Sequence, residues 1–348
     1  MEQIDIKSLA YDELIQTMVE MGEKPFRGKQ IYEWLHKKAV MSFDEMTNLS
    51  KALREKLGKT CYIAETKKLE KLVSKDGATT KFLFALRDGS VIESVLMKYR
   101  HGNSVCISSQ VGCRMGCRFC ASTLGGLERN LTVSEMLGQI YAIQNISGER
   151  VSNVVVMGTG EPMDNYDNFV KFVHMLTDEH GYHISQRNIT VSTCGLVEKI
   201  RKLADEKLQI TLAISLHAPN DEARRKLMPV ANTYTIKEIM EACDYYFEKT
   251  GRRVSFEYSL VKDQNDSEAF AQELGRLLRG KNCHVNLIPV NPIKERDYKD
   301  SDSYFVEKFK LTLEKLGINV TIRREMGRDI DAACGQLRRS YMKQKEEE

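Results

Sequence analysis

The sequence has no long apolar run and no strong excess of charge of either sign. No stretch approaches the roughly 18 apolar residues of a membrane-spanning helix, and the first residues include acids and form no apolar core. These absences predict a cytoplasmic protein without a signal peptide or a membrane partner. Lysine and arginine number 52 against 49 aspartate and glutamate, so any basic surface for a nucleic acid must be local.

Internal repeats and low-complexity segments are also absent, and 348 residues are enough for two domains or for one large domain with an appendage. The nine cysteines come without a secretory signal, which disfavours a disulfide framework. Reduced thiols, metal ligands and redox groups are the alternatives. Three cysteines lie close together, whereas Cys61, Cys194, Cys243 and Cys283 are scattered at spacings that predict structural roles.

The pattern of the chain changes three times. Helical periodicity broken by glycine and proline predicts a small helical domain over 1–60, where ten basic and ten acidic residues cancel. Short β-like runs on either side of a turn signal at Asp88 predict a β-rich hairpin connector over 61–100. The main domain is predicted over 101–340, and 341–348 is predicted to be a frayed, solvated tail.

Apolar segments alternate with amphipathic helical segments through the main domain. Helical segments such as 134–144 and 268–278 separate the apolar ones, and the alternation predicts a parallel α/β sheet that is open or closed into a barrel. Folds of this kind carry their chemistry at the carboxyl ends of the strands. The predicted strands are Val151–Met157, Asn188–Ser192, Gln209–Leu216, Val254–Leu260, Val285–Val290 and Ile318–Ile322.

Three cysteines fall within eight residues in the spacing Cys113-x3-Cys117-x2-Cys120, and Gly112 and Gly116 allow the loop to curl. Structural zinc generally takes four protein ligands, whereas a [4Fe–4S] cluster held by three cysteines leaves one iron open to another ligand. Three ordinary cysteines in a turn are the alternative, which this spacing disfavours. The spacing resembles that of the radical S-adenosylmethionine (SAM) superfamily, whose open iron binds SAM and reduces its sulfonium to a 5′-deoxyadenosyl radical.

A wider resemblance extends from about residue 20 to about residue 340. One matching segment is a glycine turn after a predicted strand, although such a turn alone is weak evidence for a cofactor. The matching segments are 106–113 (CISSQVGC), 129–133 (RNLTV), 158–162 (GTGEP), 215–217 (SLH), 286–292 (NLIPVNP) and 329–337 (DIDAACGQL). Through them the chain resembles the RlmN/Cfr family of radical SAM adenine methyltransferases.

The resemblance implies a radical SAM partial (β/α)6 barrel with a small N-terminal helical domain that docks RNA. It implies methylation of adenine C2 in 23S rRNA, and of the adenine 37 region of tRNA, with two SAM consumed per turnover through an S-methylcysteine. The implied cofactors are SAM and one [4Fe–4S] cluster held by Cys113, Cys117 and Cys120, with SAM on the fourth iron. The implied protein is a monomer that receives electrons from a donor such as flavodoxin or ferredoxin.

The resemblance also assigns roles to individual residues. Cys334 would become S-methylated, Cys106 would be the resolving thiol that forms a transient disulfide with Cys334, and Glu93 would be the proton acceptor. Without the resemblance, Cys106 is typical of a packing residue in a strand, and Glu93 suits a buried or a solvent-facing strand equally. The residues implied to contact SAM are Gly160, Glu161, Ser192, Ser215, Leu216, His217 and Asn291.

The implied chemistry explains why two further cysteines are needed. Adenine C2 is electron-poor and has no usable lone pair, so it cannot attack the SAM methyl group as a nucleophile. In the implied route SAM methylates Cys334, a radical removes a hydrogen from the S-methyl group, and the resulting carbon radical adds to the base. Attack of the Cys106 thiolate on the Cys334 sulfur then expels the methylated base.

RNA contact has the least direct support in the sequence. Basic clusters at 224–229, 252–253 and 323–324 would supply phosphate contacts, or they are ordinary solvated surface. Methylation at adenine C8, as in the Cfr branch, is the nearest alternative function. A non-enzymatic iron–sulfur or zinc protein that binds RNA is an alternative from another class, and it predicts no cleavage of SAM.

Overall fold

The computed structural model of the protein describes residues 3–100, 102–290, 298–323, 330 and 336–347. The helices are α1 Tyr11–Glu20, α2 Pro25–His36, α3 Lys51–Thr60, α4 Val133–Ser147, α5 Tyr166–Thr177, α6 Val197–Asp205, α7 Asp221–Leu227, α8 Ile236–Thr250, α9 Glu268–Leu278, α10 Ser303–Lys315 and α11 Gln336–Glu347. In the part of the chain so described, no helix is both long enough and apolar enough to cross a membrane.

The strands include one short parallel pair and one short antiparallel ribbon besides a large sheet. They are β1 Ile4–Asp5, β2 Cys61–Tyr62, β3 Thr66–Val73, β4 Thr79–Leu86, β5 Val91–Tyr99, β6 Gly102–Cys106, β7 Gln110–Gly112, β8 Leu127–Asn130, β9 Val151–Val156, β10 Ile189–Thr193, β11 Thr211–Ser215, β12 Val254–Leu260, β13 Cys283–Pro289 and β14 Val320–Ile322. Strands β1 and β2 form the parallel pair, and β7 and β8 form the ribbon.

Three helices near the N-terminus are confirmed where the periodicity predicts them. Pro25 opens α2, where its missing N–H is not needed, and the Ser50 hydroxyl caps α3 by accepting a hydrogen bond from Leu53 N at 3.2 Å. Buried side chains of this region, such as Leu14 and Tyr32, belong to the same apolar core as the main sheet. Packing is therefore continuous across residue 60, and the predicted domain boundary there stays a prediction.

The predicted hairpin is confirmed as strands β4 and β5, which pair antiparallel on either side of Asp88 and Gly89. Gly89 has a φ of 86°, a left-handed conformation that glycine adopts without Cβ strain. On its two sides the hairpin pairs with β3 and β6, so it forms the antiparallel part of the large sheet.

Ten strands form this sheet in the order β14-β13-β12-β11-β10-β9-β6-β5-β4-β3. Strands β3 to β6 are antiparallel neighbours, whereas β6 and β9 to β14 all run parallel. Parallel neighbours need long crossovers, which helices α4 to α10 supply. All six predicted parallel strands are confirmed, and the linear strand order leaves the sheet open, as in a partial barrel.

The two faces of the sheet differ in chemistry. Val154, Val191, Leu212, Phe256 and Val285 point into the apolar core that the strands share with the helices. Side chains at alternate positions point the opposite way, toward what we call the inner face. The inner face carries Lys81, Glu93, Cys106, Ser192, Ser215, Glu257 and Asn286.

The C-terminal residues that were predicted to form a frayed tail are helical instead, because α11 runs to Glu347. Leu337 of this helix packs against Leu83 and Val91 on the inner face of the antiparallel strands. Tertiary packing of an apolar side chain stabilises a short helix that sequence composition alone would not. Residues 341–347 are thus helical rather than frayed, and the assignment of 341–348 as a tail outside the catalytic domain stays a prediction.

Candidate active site

The glycine turn that follows β9 packs tightly against the loop that leaves β6. A Cβ atom on Gly158 would lie 2.7 Å from the Ile107 carbonyl oxygen, and one on Gly160 would lie 2.6 Å from Gln110 Cβ. Gly160 also has a φ of 111°, which residues with side chains rarely adopt. Both glycines are therefore required where the loop toward the clustered cysteines meets the loop that carries Glu161.

The Glu161 carboxylate connects the ends of β9 and β10. Its Oε2 accepts a hydrogen bond from Cys194 N at 2.7 Å, and its Oε1 accepts one from Met163 N at 2.9 Å. The Glu161 N–H donates to Gln110 Oε1 at 2.8 Å. Burial raises the pKa of Glu161, and the N–H groups of Cys194 and Met163 oppose that rise. Both carboxylate oxygens thus already bind backbone groups that shape the site.

The three clustered cysteines lie in one loop that internal hydrogen bonds hold in shape. The Cys113 N–H donates to the Gly126 carbonyl oxygen at 2.8 Å. The Thr123 hydroxyl lies 3.1 Å from the Cys117 carbonyl oxygen and 2.9 Å from that of Cys120, and its single O–H is shared between these two acceptors. We call this segment, residues 113–120, the cysteine loop.

The three thiols are close enough to interact electrostatically. Burial raises the pKa of Cys113 to about 12, and the neighbouring Cys120 adds to the rise. Burial also raises the pKa of Cys117, again with a contribution from Cys120. Within the described ranges, no group of three or more histidine, cysteine, aspartate or glutamate side chains is arranged to hold a single metal ion. Three neighbouring thiols on one loop are the donor set of a [4Fe–4S] cluster with one open iron, and ligation by these three cysteines stays a prediction.

A row of polar side chains crosses the inner face of the parallel strands. Ser192 Oγ lies 3.1 Å from Ser215 Oγ, and Ser215 is the direct strand partner of Glu257. Asn286 Nδ2 donates to Glu257 Oε2 at 2.9 Å, and Thr321 Oγ1 donates to Asn286 Oδ1 at 3.2 Å. The structure therefore brings Ser192 and Ser215 together and extends them into a polar surface of five strands.

Sequence reasoning missed Glu257, which lies in the middle of this row. Burial raises the pKa of Glu257, and the hydrogen bond from Asn286 opposes the rise. The available signal was a single acid within the apolar strand 254–260 (VSFEYSL), at a position that alternates with buried aromatic residues. A carboxylate in such a place is a candidate for contact with a polar ligand.

His217 links the loop after β11 to the cysteine loop. Its Nδ1 accepts a hydrogen bond from Ser259 N at 2.9 Å, which leaves the ring proton on Nε2. Burial lowers the pKa of His217 to about 3, so the ring is neutral. Phe119 of the cysteine loop meets this ring edge-on, with centroids 4.8 Å apart. The adjacent Leu216 N–H donates to the Glu257 carbonyl oxygen at 3.1 Å.

Cys106 and Glu93 share the inner face where the parallel and antiparallel strands meet. Cys106 is 6% exposed and pairs with Val95, which lies two residues after Glu93 on β5. Glu93 is 4% exposed, so the solvent-facing alternative is excluded. Its Oε2 lies 3.3 Å from Nζ of the fully buried Lys81, and its Oε1 accepts a hydrogen bond from the Arg338 N–H.

Two residues of the implied site, Asn291 and Cys334, lie outside the described residues. Eight of the nine cysteines lie within the described residues, and Cys334 is the ninth. The implied transient disulfide between Cys106 and Cys334 therefore stays a prediction. The four scattered cysteines are buried, which agrees with structural roles for Cys61, Cys194, Cys243 and Cys283.

The structure corrects one of the predicted phosphate-binding clusters. Arg224 is fully buried and cannot reach an RNA phosphate, although its neighbour Arg225 is exposed. The prediction of a phosphate contact is therefore wrong for Arg224. The remaining predicted arginines are half-buried Arg252, exposed Arg253 and Arg323, and Arg324, which lies outside the described residues.

Two family models match the chain: the ribosomal RNA large subunit methyltransferase N-terminal domain at residues 4–63, and the radical SAM superfamily at residues 107–274. A protein of Lachnoclostridium phytofermentans named "probable dual-specificity RNA methyltransferase RlmN" is 67% identical over 340 residues, which cover 98% of this chain and 96% of that protein. A protein of the same name from Lachnospira eligens is 66% identical over 338 residues, 97% of each chain.

A solved structure is also similar to this protein over nearly the whole chain. The crystal structure of a radical SAM methyltransferase from Sphaerobacter thermophilus is 42% identical, with a TM-score of 0.92 over 96% of this chain and 98% of that one. The predicted radical SAM fold is thereby confirmed, together with the family that the sequence motifs resemble. The chain belongs to the RlmN family of radical SAM RNA methyltransferases.

Proposed function

We propose that the protein methylates adenine C2 in 23S rRNA and in the adenine 37 region of tRNA through an S-methylated Cys334. The name of its relatives, and the match of residues 4–63 to a ribosomal RNA methyltransferase domain, support these RNA substrates. One observation carries the proposed cysteine chemistry. Cys106 and Glu93 share the inner face, and α11, which begins two residues after Cys334 in the sequence, donates to Glu93 from the Arg338 N–H.

Cys113, Cys117 and Cys120 would hold the [4Fe–4S] cluster, which when bound supplies the electron that cleaves SAM. The proposed SAM contacts follow the carboxyl ends of parallel strands, beside the cysteine loop. Gly160 allows the turn after β9 to pack closely against Gln110, and the Ser192 and Ser215 hydroxyls are hydrogen-bonding groups on the inner face. The full proposed set is Gly160, Glu161, Ser192, Ser215, Leu216, His217 and Asn291.

The two remaining reactive thiols carry the methyl group and release the product. The Cys334 thiolate takes the methyl group of a first SAM, and S-adenosylhomocysteine leaves. A second SAM would supply the radical that joins the S-methyl carbon to adenine C2. The adduct radical would then lose the C2 proton to Glu93 and return one electron to the oxidised cluster, which restores the aromatic ring. The Cys106 thiolate then attacks the Cys334 sulfur. A sulfur–sulfur bond forms, the sulfur–carbon bond breaks, and the base keeps the electron pair and takes up a proton.

The surroundings of Cys106 and Glu93 suit these two steps. The Cys106 side chain packs among Val95, Met97 and Val155, and this apolar lining excludes water from the covalent intermediate. Lys81 and the Arg338 N–H hold the Glu93 carboxylate from two sides, so its position is defined before RNA arrives.

The proposal includes the organisation of the chain. Residues 1–60 would dock RNA, 61–100 would connect this domain to the barrel, and 101–340 would catalyse the reaction. We propose a cytoplasmic monomer that receives electrons from a flavodoxin or a ferredoxin, with a dithiol reductant restoring Cys106 and Cys334 after each turnover. The family match at residues 4–63 supports a separate role for the N-terminal region.

Replacement of the resolving thiol tests the proposed route. We expect Cys106→Ala to accumulate RNA joined to Cys334 by a methylene bridge, because nothing then attacks the Cys334 sulfur. Denaturing gels after turnover with SAM and reductant would show the adduct, and peptide mass spectrometry would locate it. The Cys106→Ala/Cys334→Ala double variant should give no adduct, and Cys283→Ala should release its product. Recovery of only free, unmodified RNA after turnover with Cys106→Ala would contradict the proposed attack of Cys106 on the Cys334 sulfur.

The reaction product separates the proposed function from its alternatives. Mass spectrometry of nucleosides from 23S rRNA and tRNA, with and without the protein, should show 2-methyladenosine. Exclusive formation of 8-methyladenosine would assign the protein to the C8 reaction instead. Reconstituted protein that forms neither 5′-deoxyadenosine nor S-adenosylhomocysteine would favour a binding protein without activity.

A further inference from the structure

Arg224 is a fully buried arginine on α7 whose guanidinium joins the loops that follow β10 and β11. Its Nη2 donates to the Cys194 carbonyl oxygen at 2.6 Å and to that of Ser215 at 3.4 Å. Its Nε donates to the Leu216 carbonyl oxygen at 3.2 Å. All three acceptors are neutral backbone groups, so they orient the guanidinium without neutralising its charge.

The hydrogen bonds from Arg224 to the two loops do not account for its Nη1 group. Arg224 Nη1 is buried and has no hydrogen-bond partner within the part of the chain that the structure describes. Burial lowers the pKa of Arg224, but a guanidinium remains charged in proteins. The titratable groups that interact with it are the Cys194 and Cys117 thiols and the Asp221 carboxylate. A buried cation with an unused N–H is costly, so we expect an anionic acceptor at Nη1.

The chain that follows Arg224 lies against the cysteine loop. The Leu227 carbonyl oxygen accepts a hydrogen bond from Arg118 N at 2.9 Å. Leu227 also belongs to a small apolar cluster against which Cys117 and Phe119 pack. Arg224 is therefore anchored beside the proposed cluster ligands.

We propose that Arg224 is a positioning residue for the iron–sulfur cluster, with the unused Nη1 N–H donating to a sulfide of the bound cluster and the buried charge favouring cluster reduction. This inference rests on the proposed function, because it requires the cluster on the cysteine loop. A [4Fe–4S] cluster with three thiolates is an anion that gains more negative charge when it accepts an electron. A fixed cation stabilises the reduced form more, since Coulomb interactions are strong where water is excluded. Net charge and hydrogen bonds to sulfur set cluster potentials.

Three variants separate the effect of the Arg224 charge from the effect of its hydrogen bonds to the two loops. Arg224→Met removes the charge and keeps much of the volume, Arg224→Lys keeps the charge and loses the planar fork, and Arg225→Met is the matched control at the exposed neighbour. The midpoint potential of the reconstituted cluster would be measured by redox titration with electron paramagnetic resonance, without SAM or RNA. We expect Arg224→Met to lower the equilibrium constant for one-electron reduction about tenfold, which is about 59 mV. Arg225→Met should leave the potential unchanged.

Thermal unfolding of the metal-free variants provides a second readout. A purely structural role would lower the unfolding temperature of Arg224→Met and leave the potential at the wild-type value, which would overturn the inference. If Arg224→Met assembles no cluster, the midpoint potential of the cluster in Arg224→Lys tests the inference instead. A potential near wild type in Arg224→Lys supports the inference, and a potential lowered by about 59 mV overturns it. A wild-type protein that binds no iron would overturn the proposed function as well, so the two failures are distinguishable.

Discussion

The inner face of the sheet contains buried charged residues that the proposed chemistry would use. Lys81 and Glu93 lie on neighbouring strands with their charged groups 3.3 Å apart, and neither is more than 4% exposed. Burial of a charged group is costly unless opposite charges and hydrogen bonds compensate for it. Lys81 and the Arg338 N–H provide this compensation for Glu93. The carboxylate proposed to take a proton is thus held in place before substrate binds.

Removal of the lysine tests this pairing. We expect Lys81→Met to lower the free energy of unfolding by about 3 kcal/mol, because Glu93 loses the ammonium group beside it while remaining buried. Chemical denaturation of the metal-free protein would measure the change. The Lys81→Met/Glu93→Gln double variant should regain most of the loss, since the buried negative charge is then absent. Equal instability of the single and double variants would argue against the pairing.

At the scale of elements, the loops after the parallel strands form the site by close backbone contact. The turn after β9 approaches the loop after β6 through Gly158 and Gly160, and Glu161 then bonds to the end of β10. The cysteine loop meets the loop after β11 through the rings of Phe119 and His217. Glycines, one carboxylate and one aromatic contact thus bring four strand ends together around a common space.

The turn after β9 gives a prediction at this scale. We expect Gly160→Ala to lower the free energy of unfolding by about 2 kcal/mol, because its φ of 111° strains any side chain and the new Cβ meets Gln110. SAM binding, measured by calorimetry, should weaken at the same time. Gly58→Ala is the control, since its Cβ would meet nothing within 4 Å in helix α3, and it should stabilise the helix slightly. Unchanged SAM affinity in Gly160→Ala would contradict a role for this turn.

At the scale of the whole molecule, the C-terminal helix closes over the inner face of the antiparallel strands. Leu337 packs against Leu83 and Val91, and Arg338 contacts both Glu93 and Glu128. One end of the chain is thereby attached to the strand that carries the proposed proton acceptor. The described α11 follows the Cys334 segment directly in the sequence, so its docking constrains where the proposed methyl carrier can act.

Release of this helix should separate the two halves of the reaction. We expect Leu337→Asp to detach α11, because a buried carboxylate replaces an apolar contact worth about 2 kcal/mol. Limited proteolysis within 336–347 should become faster, and RNA methylation should fall at least tenfold while SAM cleavage continues. Lys345→Asp, at an exposed position on the same helix, is the control. Wild-type resistance to protease in Leu337→Asp would refute the docking role.

Local patterns in the sequence were enough to predict many of the helices and strands and the family of this protein. Period-two and helical patterns are local, so they predicted the hairpin, the six parallel strands and the N-terminal helices correctly. The spacing of Cys113, Cys117 and Cys120, with the glycine turn at 158–162, is equally local and led to the radical SAM family that the comparisons confirm. Motifs within one segment need no knowledge of what packs against them.

Only the tertiary structure decided which charged residues face the site. Arg224 belongs to a basic run that resembles surface, yet helix α7 turns this one side chain inward beneath two loops. The place of Glu257 in the polar row depends on pairing with Ser215 and Asn286, which lie far from it in the sequence. The helical C-terminus depends on the contact of Leu337 with Leu83, more than 200 positions away. Burial and long-range pairing arise from packing of the whole chain, so no local pattern could reveal them.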